Sequence, residues 1–184
     1  MIKSKSLGHQ ILSLKRSRLS HLSSFLIGVF ILIGLVVIFV RNNLLLVIVD
    51  NHSMLPALRH GDRILMLRNY PSKWLHKGQI VVVKQPFLPF NKLESLNVER
   101  LLIKRIVGLP GDTFFASISD LSKNLQPFEA KLYDERGKRS WFIPTKSFFV
   151  CGDNRRKSMD SRSLGPFPFS SLVGVFIVKL PTNH

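Results

Sequence analysis

The feature of this sequence that most constrains its fold is an uninterrupted apolar run at residues 22–40, LSSFLIGVFILIGLVVIFV, which contains no charged residue. At a rise of about 1.5 Å per residue, a helix of this length spans roughly 28 Å, close to the hydrocarbon thickness of a bilayer. Core helices of soluble domains rarely run this far without a charge. The run is followed by Arg41-Asn42-Asn43 and lacks the small residues of a cleavage site, so we interpret it as an uncleaved membrane anchor.

The charges before the anchor predict its orientation. The first 21 residues contain no acidic residue and several basic ones: Lys3, Lys5, Lys15, Arg16 and Arg18. Basic flanks of an anchor remain in the cytoplasm. We therefore expect a single-pass membrane protein with residues 1–21 as a basic cytoplasmic tail, 22–40 as the transmembrane anchor and 41–184 as a domain on the extracytoplasmic side.

The chain carries 27 basic and 11 acidic residues, a formal net charge of +16, and most of this excess lies beyond the anchor. Such an imbalance is typical of proteins that bind nucleic acid or anionic membrane surfaces. One interpretation is therefore a membrane-tethered basic module that binds nucleic acid or lipid. No nucleic-acid-binding motif accompanies the charge, and the expected location separates the domain from most nucleic acid. We expect a lipid bilayer, and no nucleic acid, among the partners.

Metal and disulfide chemistry find no support in the sequence. Cys151 is the single cysteine, so no intrachain disulfide can form, and nothing pairs with it at the spacing of metal ligands. The six histidines form no H-E-x-x-H or similar pattern. We expect neither a metal nor a cofactor, and we interpret Cys151 as a small core residue.

Beyond the anchor, short apolar runs alternate with Gly, Pro, Asn and Asp, which is typical of β-strands. The sequence therefore predicts a mostly β domain. Strands are predicted at residues 44–49, 64–67, 80–83, 101–107, 148–150 and 173–178. A hairpin tip is predicted at 134–138, between strands at 131–133 and 141–143, and longer loops at 86–97 and 119–126.

A candidate nucleophile follows the first predicted strand. In the segment NHSMLP at residues 51–56, Ser53 leaves the strand just before a proline turn and can present its hydroxyl outwards. Most serines in such positions only make local hydrogen bonds, so the segment alone is weak evidence. His52 suggests a Ser/His mechanism, but neighbouring strand residues face opposite sides, so His52 is poorly placed to take the Ser53 proton.

A candidate base lies within a predicted strand. Leu102, Lys104 and Ile106 alternate with their neighbours and point to one face, so Lys104 has apolar residues on both sides. Apolar surroundings disfavour the charged ammonium, lower its pKa and make the neutral amine available as a base. The alternative is a surface lysine whose stem covers apolar residues while its ammonium reaches water.

The segment GDNRRKSMDSR at residues 152–162 is rich in opposed charges. It is compatible with a solvated basic loop or a phosphate-binding loop. Pairing among Asp153, Arg155, Asp160 and Arg162 would instead make a rigid support for an active site.

These three segments, in this order after an N-terminal anchor, resemble the motifs of the signal peptidase I family. The nucleophile motif corresponds to Ser53-Met54-x-Pro56 with Gly61-Asp62 downstream, and the base motif to KRIVGLPGD at residues 104–112. The last motif corresponds to FVCGDNR at 149–155, followed by Ser158, DSR at 160–162 and Gly165. The resemblance covers roughly residues 49–180, and three motifs in order are strong evidence.

The resemblance implies an antiparallel β fold and a membrane-bound serine endopeptidase that removes signal peptides from exported preproteins, outside a bacterial plasma membrane. It implies Ser53 as nucleophile and Lys104 as general base, with Ser158 orienting the Lys104 amine. Asn51 stands where a family side chain joins the Ser53 N–H in the oxyanion hole. The remaining implied residues hold the scaffold: Arg105, Asp153, Asp160 and Arg162.

Substrate preference is the least constrained part of this interpretation. The resemblance implies small side chains near the cut. Asn51 and His52 depart from the usual residues beside the nucleophile, and Ala57 replaces a usual threonine. A specialised maturation peptidase that processes one dedicated precursor therefore remains an alternative to a general signal peptidase.

Overall fold

The computed structural model of the chain describes residues 24–85, 100–117, 119 and 134–181. It forms two compact units, Met1–Asn43 and Leu44–His184. The predicted cytoplasmic tail, the loop at 86–97 and the strand at 131–133 lie outside the described residues, as does all of the loop at 119–126 except Ser119.

The first unit contains helix α1, Ser24–Asn43. The helix is long and apolar enough to cross a membrane, which fits the interpretation of the 22–40 run as an anchor. It continues past Val40, and Asn43 Nδ2 donates a hydrogen bond to the Phe39 carbonyl at 2.9 Å. Polar residues at this end therefore remain within the helix.

The second unit is built from antiparallel strands, which confirms the predicted mostly β class. In chain order they are β1 Leu44–Ile48, β2 Arg63–Leu67, β3 Ile80–Lys84, β4 Leu101–Gly108, β5 Thr113–Ser117, β6 Lys138–Phe142, β7 Ser147–Cys151, β8 Phe167–Pro168 and β9 Leu172–Leu180. A seven-stranded sheet has the order β1-β2-β9-β3-β4-β7-β8, and β5 pairs with β6 in a second sheet. A four-residue helix α2, Ser161–Leu164, precedes β8.

The centre of the large sheet is buried on both faces. Residues 80–83 of β3 are all buried, and successive side chains enter different core clusters: Ile80 and Val82 pack with Met54 and Ile103, whereas Val81 and Val83 pack with Ile106. This accounts for the run Ile-Val-Val-Val, because a strand covered on both faces has no polar side to alternate with. β3 therefore gives neighbouring β4 a rigid position.

Of the predicted hairpin, the structure describes the turn and the strand that follows it. The turn is present, with Gly137 N–H donating to the Asp134 carbonyl at 2.8 Å, but the strand after it pairs with β5. β5 itself was not predicted. Its pairing crosses more than 20 residues of sequence, and local patterns do not report such long-range register.

Candidate active site

Ser53 lies in the turn that connects β1 to β2, and it is only 4% exposed. The turn is anchored in the core by Met54 and Leu58, both buried. On the other side, Asn154 N–H donates to the Ser53 carbonyl at 2.9 Å and Asn154 Nδ2 donates to the His52 carbonyl at 3.2 Å. The backbone at the candidate nucleophile is therefore held from both directions.

Lys104 reaches Ser53 from β4. Its Nζ donates to Ser53 Oγ at 2.8 Å, and the residue is 1% exposed, opposite Val81 of β3. Burial lowers the pKa of Lys104 from 10.5 to about 8, with Asp160 and Cys151 opposing the shift and Arg162 adding to it. The strand pattern had predicted this direction. An amine with this pKa supplies a usable neutral fraction near neutral pH.

The Ser53 hydroxyl has a second partner in Asn51. Ser53 Oγ donates to Asn51 Oδ1 at 2.7 Å, and the Ser53 backbone N–H donates to the same oxygen at 3.0 Å. Asn51 itself is exposed. The side chain expected at the oxyanion hole is thus adjacent to the Ser53 N–H, with its oxygen turned inwards.

A buried ion pair supports this arrangement from the other side. Asp160 caps α2 and accepts hydrogen bonds from Gly152 N–H at 2.9 Å, and from Arg162 Nε and Nη2, each at 2.9 Å. Both side chains are at most 1% exposed. Burial raises the pKa of Asp160, but the hydrogen bonds and charge of Arg162, with the bonds from Gly152 and Ser158, hold it below its ordinary value. Asp160 is therefore a stable carboxylate within the site.

Ser158 is in the site, but its contact differs from the one implied by the family resemblance. Its Oγ donates to Asp160 Oδ2 at 2.7 Å, whereas Lys104 Nζ makes its hydrogen bond to Ser53. A carboxylate is the stronger acceptor, since charge-assisted hydrogen bonds exceed neutral ones in strength. In this structure the Ser158 hydroxyl is therefore hydrogen-bonded to Asp160 and not to the Lys104 amine.

Arg105 and Asp153 form a second ion pair next to the site. Arg105 Nε and Nη2 donate to the two carboxylate oxygens of Asp153 at 2.8 and 2.7 Å, and Nη1 donates to the Gly78 carbonyl at 2.7 Å. This two-pronged geometry links β4 to the segment after β7. Arg105 and Asp153, both expected beside the site, are thus in direct contact.

Gly152 and Asn154 were not singled out from the sequence as individual site residues. A Cβ on Gly152 would overlap with Ser158 Oγ and with the Ser53 carbonyl oxygen, so only glycine permits this approach. Asn154 makes the two hydrogen bonds described above. A glycine directly after a buried strand is the signal that could have marked the close approach.

Two other reactive side chains, His52 and Cys151, are not hydrogen-bonded to Ser53 or Lys104. The His52 ring is exposed and packs edge-on against the His60 ring at 6.0 Å, away from the Ser53 hydrogen bonds. Burial and the nearby Asp160 raise the pKa of Cys151 to about 12, which keeps its thiol protonated. Across the described ranges, no three His, Cys, Asp or Glu side chains lie together as metal ligands would.

Comparison with known proteins shows which family this chain resembles. Residues 21–180 match the family described as signal peptidase, peptidase S26. The chain is 32% identical over 143 residues to signal peptidase I of Leptolyngbya laminosa, a match covering 74% of this chain and 68% of that protein. The chain belongs to the signal peptidase family. The family resemblance predicted from three short motifs is thereby confirmed, and the match extends over most of the chain.

Other relatives of this signal peptidase come from different lineages. Signal peptidase I V of Bacillus subtilis is 30% identical over 147 residues, covering 69% of this chain and 80% of that protein. Mitochondrial inner membrane protease subunit 1 of Xenopus tropicalis is 33% identical over 137 residues, covering 73% of this chain and 67% of that protein. These relatives confirm a signal peptidase function and the class of serine protease.

Proposed function

We propose that this signal peptidase cleaves signal peptides from exported preproteins with Ser53 as nucleophile and Lys104 as general base. The observation that carries the proposal is the 2.8 Å contact between Ser53 Oγ and Lys104 Nζ, formed by two side chains that are 4% and 1% exposed. A serine hydroxyl next to an amine of lowered pKa is an activated nucleophile.

The chemistry follows from the two buried groups. Neutral Lys104 accepts the Ser53 proton as Oγ bonds to the scissile carbonyl carbon, and the oxyanion accepts hydrogen bonds from the Ser53 N–H and the Asn51 amide. The Lys104 ammonium then protonates the leaving amine, which releases the mature protein and leaves a signal-peptide ester on Ser53. Lys104 next takes a proton from water as the water oxygen bonds to the ester carbon. The Ser53 Oγ–carbon bond then breaks, Oγ takes the proton back from the Lys104 ammonium, and the signal peptide leaves as a carboxylic acid.

The substrate is proposed to bind as an added strand beside β4. β4 pairs with β3 over 101–105, whereas its pairing with β7 begins only at Arg105. In the part of the chain that the structure describes, the β7-side edge of 101–104 is thus unpaired, and it ends at Lys104. An extended peptide hydrogen-bonded to this edge would bring its scissile bond to the dyad.

Small side chains are proposed before the cut, because the resemblance to signal peptidase I implies them. Preproteins that differ only in the residue before the scissile bond test this point. Alanine there should be cleaved and phenylalanine should not. Equal cleavage of the two would contradict a small pocket.

The catalytic domain is proposed to lie on the extracytoplasmic side, where a translocated signal peptide presents its cleavage site. Support comes from the basic residues before α1, five in the first 21 positions with no acidic one. Protease added to intact spheroplasts should digest the domain. Protection until lysis would contradict this orientation.

The decisive experiment compares the full chain in detergent with its Ser53→Ala variant on one preprotein. Ser140→Ala is a matched control, because it makes the same chemical change at an exposed position on β6. Wild type and Ser140→Ala should produce a mature protein with a single new N-terminus, and Ser53→Ala should lose about 10³-fold or more of the rate. Wild-type turnover in Ser53→Ala would end the proposed mechanism.

A further inference from the structure

The hydrogen bonds around Ser53 do not have the arrangement that nucleophilic attack requires. Both hydrogens that Ser53 offers are donated to one atom, Asn51 Oδ1, at 2.7 Å from Oγ and 3.0 Å from the backbone nitrogen. Attack requires the hydroxyl proton to face Lys104, and oxyanion stabilisation requires the N–H to face the substrate. The Asn51 oxygen therefore engages both the hydroxyl proton needed for attack and the N–H needed for the oxyanion.

The identity of the inward-facing atom follows from the chemistry of its partners. A backbone N–H can only donate, so the Asn51 atom next to it must be the acceptor oxygen rather than the amide nitrogen. Lys104 Nζ completes the chain by donating to Ser53 Oγ at 2.8 Å. The hydrogen bonds run from Lys104 to Ser53 to Asn51, and this direction suits a protonated amine.

We propose that Asn51 is a positioning residue that blocks Ser53 in the resting enzyme, and that the substrate carbonyl oxygen displaces the Asn51 oxygen before attack. This inference rests on the proposed roles of Ser53 and Lys104. The substrate oxygen then accepts the Ser53 N–H, and the freed hydroxyl turns its proton to neutral Lys104. Substrate binding and activation of the nucleophile thereby become one event.

The side chain of Asn51 can make this movement. Asn51 is exposed, so rotation of its amide carries polar atoms into water rather than into the core. Within the ranges that the structure covers, the hydrogen bonds of its side chain are the two from Ser53. Rotation also brings Nδ2 to the place where it can donate to the oxyanion, as proposed above.

The arrangement predicts a coupling between Asn51 and the protonation of Lys104. The charged groups that act on Lys104 are Asp160 and Arg162, with Cys151 as the other titratable neighbour. The Asn51 oxygen also affects the pKa of Lys104. Its hydrogen bond with the Ser53 hydroxyl forms when Lys104 donates a hydrogen bond to Ser53 Oγ, and it must break when Lys104 accepts one from that hydroxyl. It therefore favours the protonated amine.

The test measures the pKa of Lys104 in the full chain in detergent, from the Cε resonance of carbon-13-labelled lysine. The resonance is identified by its absence in Lys104→Arg. Removing one ordinary hydrogen bond from the protonated state should lower the pKa in Asn51→Ala by about half to one pH unit, a three- to tenfold change in proton affinity. Asn51→Asp keeps the acceptor and adds charge, so it should raise the pKa. The midpoint of kcat/KM against pH should move in the same directions.

Asn154 supplies matched controls, because its amide binds the neighbouring His52 carbonyl rather than the Ser53 hydroxyl. Asn154→Ala should leave the Lys104 pKa unchanged, and Asn154→Asp should raise it less than Asn51→Asp. A wild-type Lys104 pKa in both Asn51→Ala and Asn51→Asp would overturn the proposal. Equal shifts of that pKa in Asn51→Asp and Asn154→Asp, together with no shift in Asn51→Ala, would overturn it as well. If wild type cleaves no preprotein, the proposed function fails, but the resonance still decides this inference.

Discussion

Lys104 and Arg105 are adjacent cations on one strand with opposite environments. Lys104 is 1% exposed and donates to the Ser53 hydroxyl, whereas the side chain of Arg105 is 31% exposed and is held by both carboxylate oxygens of Asp153. Strand alternation points the two side chains to opposite faces, so Lys104, the proposed base, is buried in the core while Arg105 lies in an ion pair nearer the surface.

This difference leads to a prediction about the base. Lys104→Arg should lose about 10³-fold or more of the cleavage rate, because guanidinium keeps its proton at any pH used. His52→Ala should retain substantial activity, since its ring packs against His60 and not on Ser53. Both variants are assayed on one preprotein. An active Lys104→Arg beside an inactive His52→Ala would transfer the role of base to the histidine.

The pH dependence of cleavage follows from the state of Lys104. Only the neutral amine accepts the Ser53 proton, and the pKa of Lys104 is lowered to about 8 by burial. The value of kcat/KM should therefore rise by about tenfold per pH unit below the midpoint and level off above it. The measurement is a rate profile from about pH 6 to about pH 10. A flat profile through this range would contradict a lysine base.

The buried Lys104 should also lower the free energy of unfolding of the protein. Its pKa is 10.5 in its ordinary state and about 8 in the fold, so the unfolded chain binds the proton more tightly and wild-type stability rises with pH between these values. Lys104→Met should therefore be inactive yet more stable at neutral pH, by up to about 3 kcal/mol. Thermal unfolding checks this, and the advantage should shrink as the pH rises from about 8 to about 10.5 and be absent above that value. A less stable Lys104→Met at neutral pH would contradict the burial cost.

Gly152 gives a steric prediction. In Gly152→Ala the new methyl group overlaps with Ser158 Oγ and the Ser53 carbonyl oxygen, so the nucleophile must shift. A shift of about 1 Å costs on the order of 10²-fold in rate. Gly34→Ala in α1 is the control, because nothing lies within 4 Å of its added Cβ. Normal kinetics in Gly152→Ala would show that the close approach does not position Ser53.

The buried ion pair predicts a strong effect on stability. Asp160→Asn leaves the Arg162 guanidinium buried without its carboxylate, which should cost about 3–5 kcal/mol and most of the activity. Asp50→Asn is the matched control, since the Asp50 side chain is 95% exposed. Chemical denaturation of the two variants side by side provides the comparison. Equal stability would mean that the pair does not hold the site.

The place of Lys104 between apolar neighbours on one strand face could be predicted from the sequence, because alternation along a strand is a local property. The same pattern also fits a surface lysine, however, and only the fold shows its burial. The proton arrangement at Ser53 could not be predicted. It depends on where the Asn51 side chain points in a turn, and the sequence shows only that an amide is present. Ser158 shows the same limit, since its partner is decided by the position of the Asp160 carboxylate in three dimensions.

The pairing of β5 with β6 also exceeded what the sequence can show. The tip at 134–138 was predicted from its turn residues, but the strand before it was assigned from proximity in sequence. The observed partner, Thr113–Ser117, lies on the far side of a long insertion. Partner choice across such a distance is set by packing, here of Phe114 and Trp141 against Phe149.

Two buried titratable groups of the site, Lys104 and Asp160, change their protonation state at widely separated pH values. The pKa of Lys104 is about 8, whereas that of Asp160 lies below its ordinary 3.8. The stability that Asp160 contributes is present above that ordinary value and is lost only as the pH falls through its folded pKa. Between the two pKa values the proposed base, Lys104, is protonated while Asp160 keeps the charge that pairs with Arg162. Under the proposed mechanism, a rise in pH through about 8 restores the base by removing one proton from Lys104, without a change in the charges of the Asp160–Arg162 ion pair.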